Sequence, residues 1–385
     1  MSLIIDEAFL TRTLVDLVQI DSRNPSLVPG APGEATIAAY IAGALTGLGL
    51  DVTTHEFAAG RVNVVGVLRG AGGGPCLMLN GHMDTVGVEG MADPFSGAVR
   101  DGRVYGRGSQ DMKGGLAAMI AAAKALVDAG VPLAGDLIVA AVADEEYYSA
   151  GTEDLIKHHR ADAAIVAEPT DLALVRAHRG FIWYQVETIG RAAHGSRYNE
   201  GIDANMRMGR FLAELDKLER AVRQRPPHPL AGPPSLHAGL IQGGTGISTY
   251  AARCELQIEW RSAPGETEPQ VTGELQGIIN RLAAADPTFK ASLRVNCQRP
   301  PLETDAGAEI VRAVEDAALR RLGRVPAHAG ASFWSDAALL ATAGTQAILM
   351  GPVGDGLHSA EEWVDLASVR DLAIVLAETA AAFCG

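Results

Sequence analysis

Basic residues are in short supply in this chain. Its 32 lysines and arginines stand against 46 aspartates and glutamates, a formal net charge of −14. That balance repels polyphosphates and anionic lipid, so nucleic acid and membrane are set aside as partners. Cysteine is scarce too. Cys76, Cys254, Cys297 and Cys384 show no CxxC spacing, which argues against a disulfide scaffold and fits reduced thiols in an apolar setting. No apolar run is long enough to span a bilayer, since Lys124 interrupts the alanine-rich LAAMIAAAKALVDAG. The first twenty residues lack a signal peptide's basic start and unbroken core. Asp6, Glu7, Arg12 and Asp16 punctuate them as in an amphipathic helix. Cytoplasm is the expected compartment. Walker, HExxH and GxSxG motifs are missing. Gly106-Arg107-Gly108 lacks the third glycine of a dinucleotide fingerprint, and Asp111 in its place would repel phosphate.

What is present is a set of five side chains that bind metals, each where a strand runs out into a loop. They are His82 in LNGHMDTV, Asp111 in GRGSQDMKGG, Glu146 in VADEEY, Glu168 in VAEPT and His358 in GLHSAEEW. Two imidazoles and three carboxylates suit a pair of divalent ions that prefer nitrogen and oxygen. Such pairs serve hydrolysis. Residues two apart on an extended chain share a face, so Asp84 can hold the His82 ring as a second-shell carboxylate. Asp111 precedes a helical stretch and could equally be its N-cap. Glu145 and Glu146 follow the strand DLIVAAVAD; one can bind metal while the other handles a proton. Read alone, each segment has an ordinary explanation as a loop histidine, a cap or an acidic turn.

Taken in this order, the five motifs resemble the co-catalytic metallohydrolases that include acetylornithine deacetylase, succinyl-diaminopimelate desuccinylase, aminoacylase and glutamate carboxypeptidase, the M20 metallopeptidase family. The resemblance covers essentially the whole chain. It implies that His82 and Glu168 bind one metal, Glu146 and His358 the other, and Asp111 bridges them. Glu145 becomes the general base and acid, and Asp84 the residue that orients His82. Zinc is the implied metal, with cobalt or manganese as substitutes.

The rhythm of the chain changes twice. Up to residue 178, strand-like runs (VNVVGVL, CLMLN, DLIVAAVA, AAIVA) alternate with helical stretches, the pattern of an α/β layer with a mostly parallel central sheet. Residues 179–297 read β-α-β-β-α-β, the ferredoxin-like order of an inserted domain. Its first helix is expected to turn Met206, Phe211, Leu212, Leu215 and Leu218 to one side. Residues 298–385 resume the α/β pattern, so the catalytic domain is discontinuous. By resemblance the insert is a lid and a homodimer interface. His194 in RAAHGS matches a histidine that supports the oxyanion, often from the partner subunit, and Arg261 in IEWRSAPGET matches an arginine that grips a substrate carboxylate. Ser248 is the second expected substrate-binding residue, though it departs from the family, which commonly has asparagine there and proline where this chain has Ala251, and offers only a hydroxyl where an amide could donate and accept. In GASFWSDA, Ser335 or Asp336 reads as a helix N-cap. The four tryptophans read as core or cleft walls.

The expected function is metal-dependent amide hydrolysis of a small molecule, an N-acyl amino acid or a short peptide with a free carboxylate. An N-acyl-amino-acid deacylase is favoured over a carboxypeptidase or dipeptidase with the same site. A non-catalytic metal-dependent assembly protein would need a missing base or ligand, and none is missing.

Overall fold

The apolar runs become the strands Arg61–Leu68, Leu77–His82, Leu137–Val142 and Ala163–Val166 in a computed structural model that describes residues 3–385. Leu77–His82 and Leu137–Val142 are buried along their whole length. Helices cover such a sheet on both faces, so no polar alternation is needed. The chain divides into two compact units. The first comprises residues up to Arg176, Thr304–Ala329 and Ser335–Gly385; the second comprises Ala177–Glu303 and Gly330–Trp334.

In the first unit the sheet runs in the order Asp51–Ala58, Arg61–Leu68, Leu137–Val142, Leu77–His82, Ala163–Val166 and Gln346–Leu349. The last four strands are mutually parallel, and the first two pair antiparallel at the edge. The N-terminal helix spans Glu7–Gln19 and buries Leu10, Leu14 and Leu17. Met1 and Ser2, part of the expected N-terminal helix, lie outside the described residues. No helix among the described residues is long and apolar enough to cross a membrane.

Parallel strands release their chains at one edge. His82 ends the strand Leu77–His82, and the segments after Leu137–Val142, Ala163–Val166 and Gln346–Leu349 carry Glu145 and Glu146, Glu168 and His358 respectively. Four neighbouring strand ends therefore converge, as sites in open α/β sheets do. Asp111 reaches the same edge from Ser109–Lys113, just before the helix Gly114–Asp128. This helix is buried on nearly every side, which its alanines and glycines permit. A methyl on Gly115 would run into the Ala167 carbonyl, and one on Gly351 into the Glu168 carbonyl. Gly115→Ala and Gly351→Ala are each expected to cost about 1–3 kcal/mol, read as a lower denaturant midpoint. Gly43 lies exposed in the helix Ala35–Gly47 with open space around it. There the same change is expected to stabilise by about 0.5–1 kcal/mol.

The second unit contains the strands Gly180–Ile189, Ser235–Gly243, Arg253–Ser262 and Lys290–Arg299 with the helices Ala204–Arg223 and Glu268–Ala285. Its four-stranded sheet is antiparallel, with Ser235–Gly243 and Lys290–Arg299 at the edges. The core gathers Tyr184, Phe211, Trp260 and Leu275. Met206 departs from expectation: it is 67% exposed, and Met208 is buried instead. Asp203 caps the helix and fixes the rotation; two residues away from Met208, Met206 faces the opposite side. The return to the first unit also comes later than residue 298. Arg299 still pairs with Phe181, and Gly330–Trp334 joins the second unit, where Trp334 Nε1 donates to the Pro300 carbonyl at 2.9 Å.

Candidate metal centre

Two groups of donors meet at the strand edge, and they share one residue. His82, Asp111 and Glu168 each offer one atom within 4.8 Å of the others, and so do Asp111, Glu146 and His358. His82 Nε2 lies 2.9 Å from Asp111 Oδ1 and 3.7 Å from Glu168 Oε1. His358 Nε2 lies 3.2 Å from Glu146 Oε2 and 3.4 Å from Asp111 Oδ2. The two oxygens of Asp111 thus face the two imidazoles, one each. Asp111 is extended, at φ −115° and ψ 95°, and the following helix opens without a side-chain cap. The N-cap alternative falls.

The electrostatics fit cations. Burial pushes Glu146 up to about 7, with the charge of Asp111 adding to the effect. Burial and the Glu168 charge carry Glu145 well above the carboxylate range, and burial raises Glu168 in the same way. For Asp111 burial acts upward too, but hydrogen bonds from His358 and His82 outweigh it and leave it low. Those contacts to Asp111 and Glu146 lift His358 to about 10. Glu146 Oε1 is buried with no hydrogen-bond partner. Such a crowd of nitrogen and oxygen donors, short of positive charge and with a lone pair unspent, fits a pair of divalent cations.

Glu145 stands beside both groups. Its Oε2 is 4.0 Å from His82 Nε2. Asp84 behaves differently from expectation. His82 Nδ1 sits 2.9 Å from the Asp84 main-chain carbonyl, while the Asp84 carboxylate is 3.7 Å away. That carboxylate instead accepts the backbone N–H groups of Glu145 and Glu146, at 3.1 and 3.2 Å, and the Asn24 amide at 2.8 Å. It holds the loop of the two glutamates, and the carbonyl holds the ring.

Several residues here carry no signal in the sequence. Glu362 accepts the N–H groups of Gly108, Gln110 and Asp111 and an Arg107 guanidinium at 2.6 Å, so it shapes the segment bearing Asp111. Arg61 grips Glu34 through two hydrogen bonds and Asp144 through a third. Asp336 occupies the first position before the helix Ala337–Thr342, yet its side chain does not cap it. It is buried and accepts from Thr152 Oγ1 at 2.7 Å. Burial lifts it to about 6.

In the second unit the GRAAHGS and GGTGIST loops lie side by side. His194 bridges Thr249, and Gly195 N–H donates to the Ser248 carbonyl at 2.7 Å. Ser248 therefore turns its main chain to the histidine loop. His194 Nδ1 is 2.8 Å from Ser196 Oγ. Arg261 lies elsewhere, paired with Glu259 at 3.0 Å and over the Phe181 ring at 5.2 Å.

The model of peptidase family M20/M25/M40 matches residues 78–382. The chain belongs to this family. It is accordingly a hydrolase of amide bonds from a metal-dependent family whose sites are often dinuclear. It is 33% identical to an acetylornithine deacetylase from Myxococcus xanthus, over 98% of both chains. It is 31% identical to an N-formyl-4-amino-5-aminomethyl-2-methylpyrimidine deformylase from Bacillus subtilis, over 89% of this chain and 88% of that one. The fold matches an aminopeptidase from Bacillus cereus at a TM-score of 0.78, with 21% identity over 98% of this chain and 99% of the other.

Proposed function

We propose that the protein is a two-metal N-acyl-amino-acid deacylase of the deacetylase or desuccinylase type. His82 and Glu168 hold one ion, Glu146 and His358 the other, and Asp111 lies between them. The observation that carries this reading is the pair of donor groups sharing Asp111. When bound, two divalent ions, zinc first, lower the pKa of water and polarise a carbonyl. Glu145 takes the proton of the attacking water and returns it to the departing nitrogen. His194 donates to the oxyanion, and Arg261 grips the substrate carboxylate through its planar fork. Asp84 keeps the Glu145–Glu146 peptide in place. The location of the enzyme is the cytoplasm.

The acetylornithine deacetylase at 33% identity supports the deacylase over a peptidase. Turnover by chelator-stripped and zinc- or cobalt-reconstituted enzyme tests it, across N-acetyl, N-succinyl and N-formyl amino acids, dipeptides and an N-formyl amine lacking a carboxylate. Metal-dependent release of amino acids from the acyl series is expected, and Arg261→Ala should raise KM there about 10²-fold. Turnover of dipeptides alone would move the assignment to peptidase. Equal turnover of the carboxylate-free amide would remove the role of Arg261.

The active form in this reading is a homodimer joined through the second unit. The edge strand Ser235–Gly243 carries exposed Leu240 and Ile241, a surface suited to a second copy. His194 and Arg261 also stand too far apart to serve one small substrate in a single chain. Ile189 pairs with Arg253, and Phe181 with Arg261, so eight residues of strand separate the two ends. That is roughly 26 Å, and His194 lies beyond the nearer end.

A further inference from the structure

A third group of donors lies on the first unit, made of residues the reaction does not use. His55 comes from the edge strand Asp51–Ala58; Asp154 and His158 come from the helix Ala150–His158. One donor atom from each lies within 4.8 Å of the others. We propose that His55, Asp154 and His158 form a second metal site for a nitrogen-preferring divalent ion such as zinc, clamping the edge strand to the helix that follows the Glu145–Glu146 loop.

The spacing belongs to a metal site. Asp154 and His158 are one helical turn apart and present one face, with His158 Nε2 3.6 Å from Asp154 Oδ1. The His55 and His158 rings are stacked, their centroids 4.9 Å apart and their planes at 22°, so one ring turns for both nitrogens to face a single ion. Donors around a tetrahedral zinc at about 2.0–2.1 Å sit roughly 3.3 Å from one another, so side-chain rotations on the strand and at the helix end that close up to about 1.5 Å complete the set. Two imidazoles and a carboxylate leave a fourth position for water.

The neighbours leave these donors available. Lys157 reaches Asp154 only at 3.9 Å and is 67% exposed, a loose pairing. Arg69 is committed to Asp51 and Asp136, at 2.9 and 2.8 Å. His159 meets His55 edge-on at 5.7 Å, and its Nε2 is buried without a partner. A favourable contact with the helix dipole accounts for His158 at the C-terminal turn. It does not account for His55 stacked on it from another element.

The consequence is mechanical. The helix begins at Ala150, directly after the loop bearing Glu145 and Glu146, and the clamp would hold its far end. The test is a zinc count. The full-length protein is stripped with chelator, dialysed against micromolar zinc and analysed for bound metal, beside His55→Ala/His158→Gln. Wild type is expected to retain about one zinc per chain more than the variant. Both proteins keep the catalytic donors, so the difference does not depend on how many ions those hold. His158 is exposed, so His158→Gln alone removes a ligand without threatening the fold. Asp154→Asn should weaken binding while leaving both imidazoles. Cu2+ added after the catalytic donors are filled with zinc should show nitrogen couplings in its EPR spectrum that the double variant lacks. Equal zinc counts overturn the proposal, and so does a difference seen only at millimolar zinc, which would mean an adventitious ion only.

Discussion

Glu145→Gln is expected to lower kcat by about 10³-fold while leaving the metal content and KM near those of the wild type. The change keeps the size of the side chain and removes only its ability to take and return a proton. Glu145 lies in neither donor group, and its backbone is held by Asp84 rather than by its own carboxylate. Metal should therefore bind as before. Glu146→Gln gives the contrast. Glu146 sits 3.2 Å from His358 and shares its donor group with Asp111, so its loss should be read first in metal content and only then in rate. Measuring both quantities on both variants separates base from ligand. A Glu145→Gln enzyme with kcat near wild type would refute its assignment, and one that loses metal would exchange the roles of the two glutamates.

The difference between neighbours also shows what the sequence could and could not disclose. Parallel strands are legible as apolar runs, and His82, Glu146, Glu168 and His358 of the proposed metal ligands are legible as polar residues at or beyond their ends, because burial leaves few other places for histidine or glutamate; Asp111 comes instead from the segment before a helix. That His82 falls between the strand of Glu146 and the strand of Glu168 depends on sheet order, which apolar runs do not encode. Asp84 is the sharper case. An HxD pattern puts both side chains on one face of an extended strand, and a carboxylate on the ring followed from that. Past the strand end the chain turns, so the carbonyl reaches His82 and the carboxylate reaches the glutamate loop. Glu362, Asn24 and Arg61 act through main-chain N–H groups or through other charged groups drawn from distant segments. No local pattern marks such contacts. Met206 faces outward because several apolar residues compete for the face of one helix, and the cap at Asp203 decides the rotation.

Mixing inactive chains is expected to restore activity. His194→Ala removes a donor to the oxyanion and should lower kcat about 10²–10³-fold; Glu145→Gln removes the base. In the proposed homodimer, with the proposed roles, each variant alone is then nearly dead. If His194 serves the partner's site, a dimer with one chain of each kind has one site with both lesions and one with neither. After unfolding and refolding of an equal mixture, half the dimers are mixed, so about a quarter of wild-type activity should return. If His194 serves its own chain, every site carries a lesion and nothing returns. The argument for the first outcome lies in the strand register: Arg261 and the His194 loop stand at opposite ends of the same pair of strands. One small substrate cannot touch both within a chain, whereas two chains related by a two-fold axis can bring opposite ends of their sheets to one site. Leu240→Lys, on the exposed edge strand, should abolish both the dimer in sedimentation and the restored activity. A monomeric protein with full turnover would rule out a contribution of His194 from a partner chain.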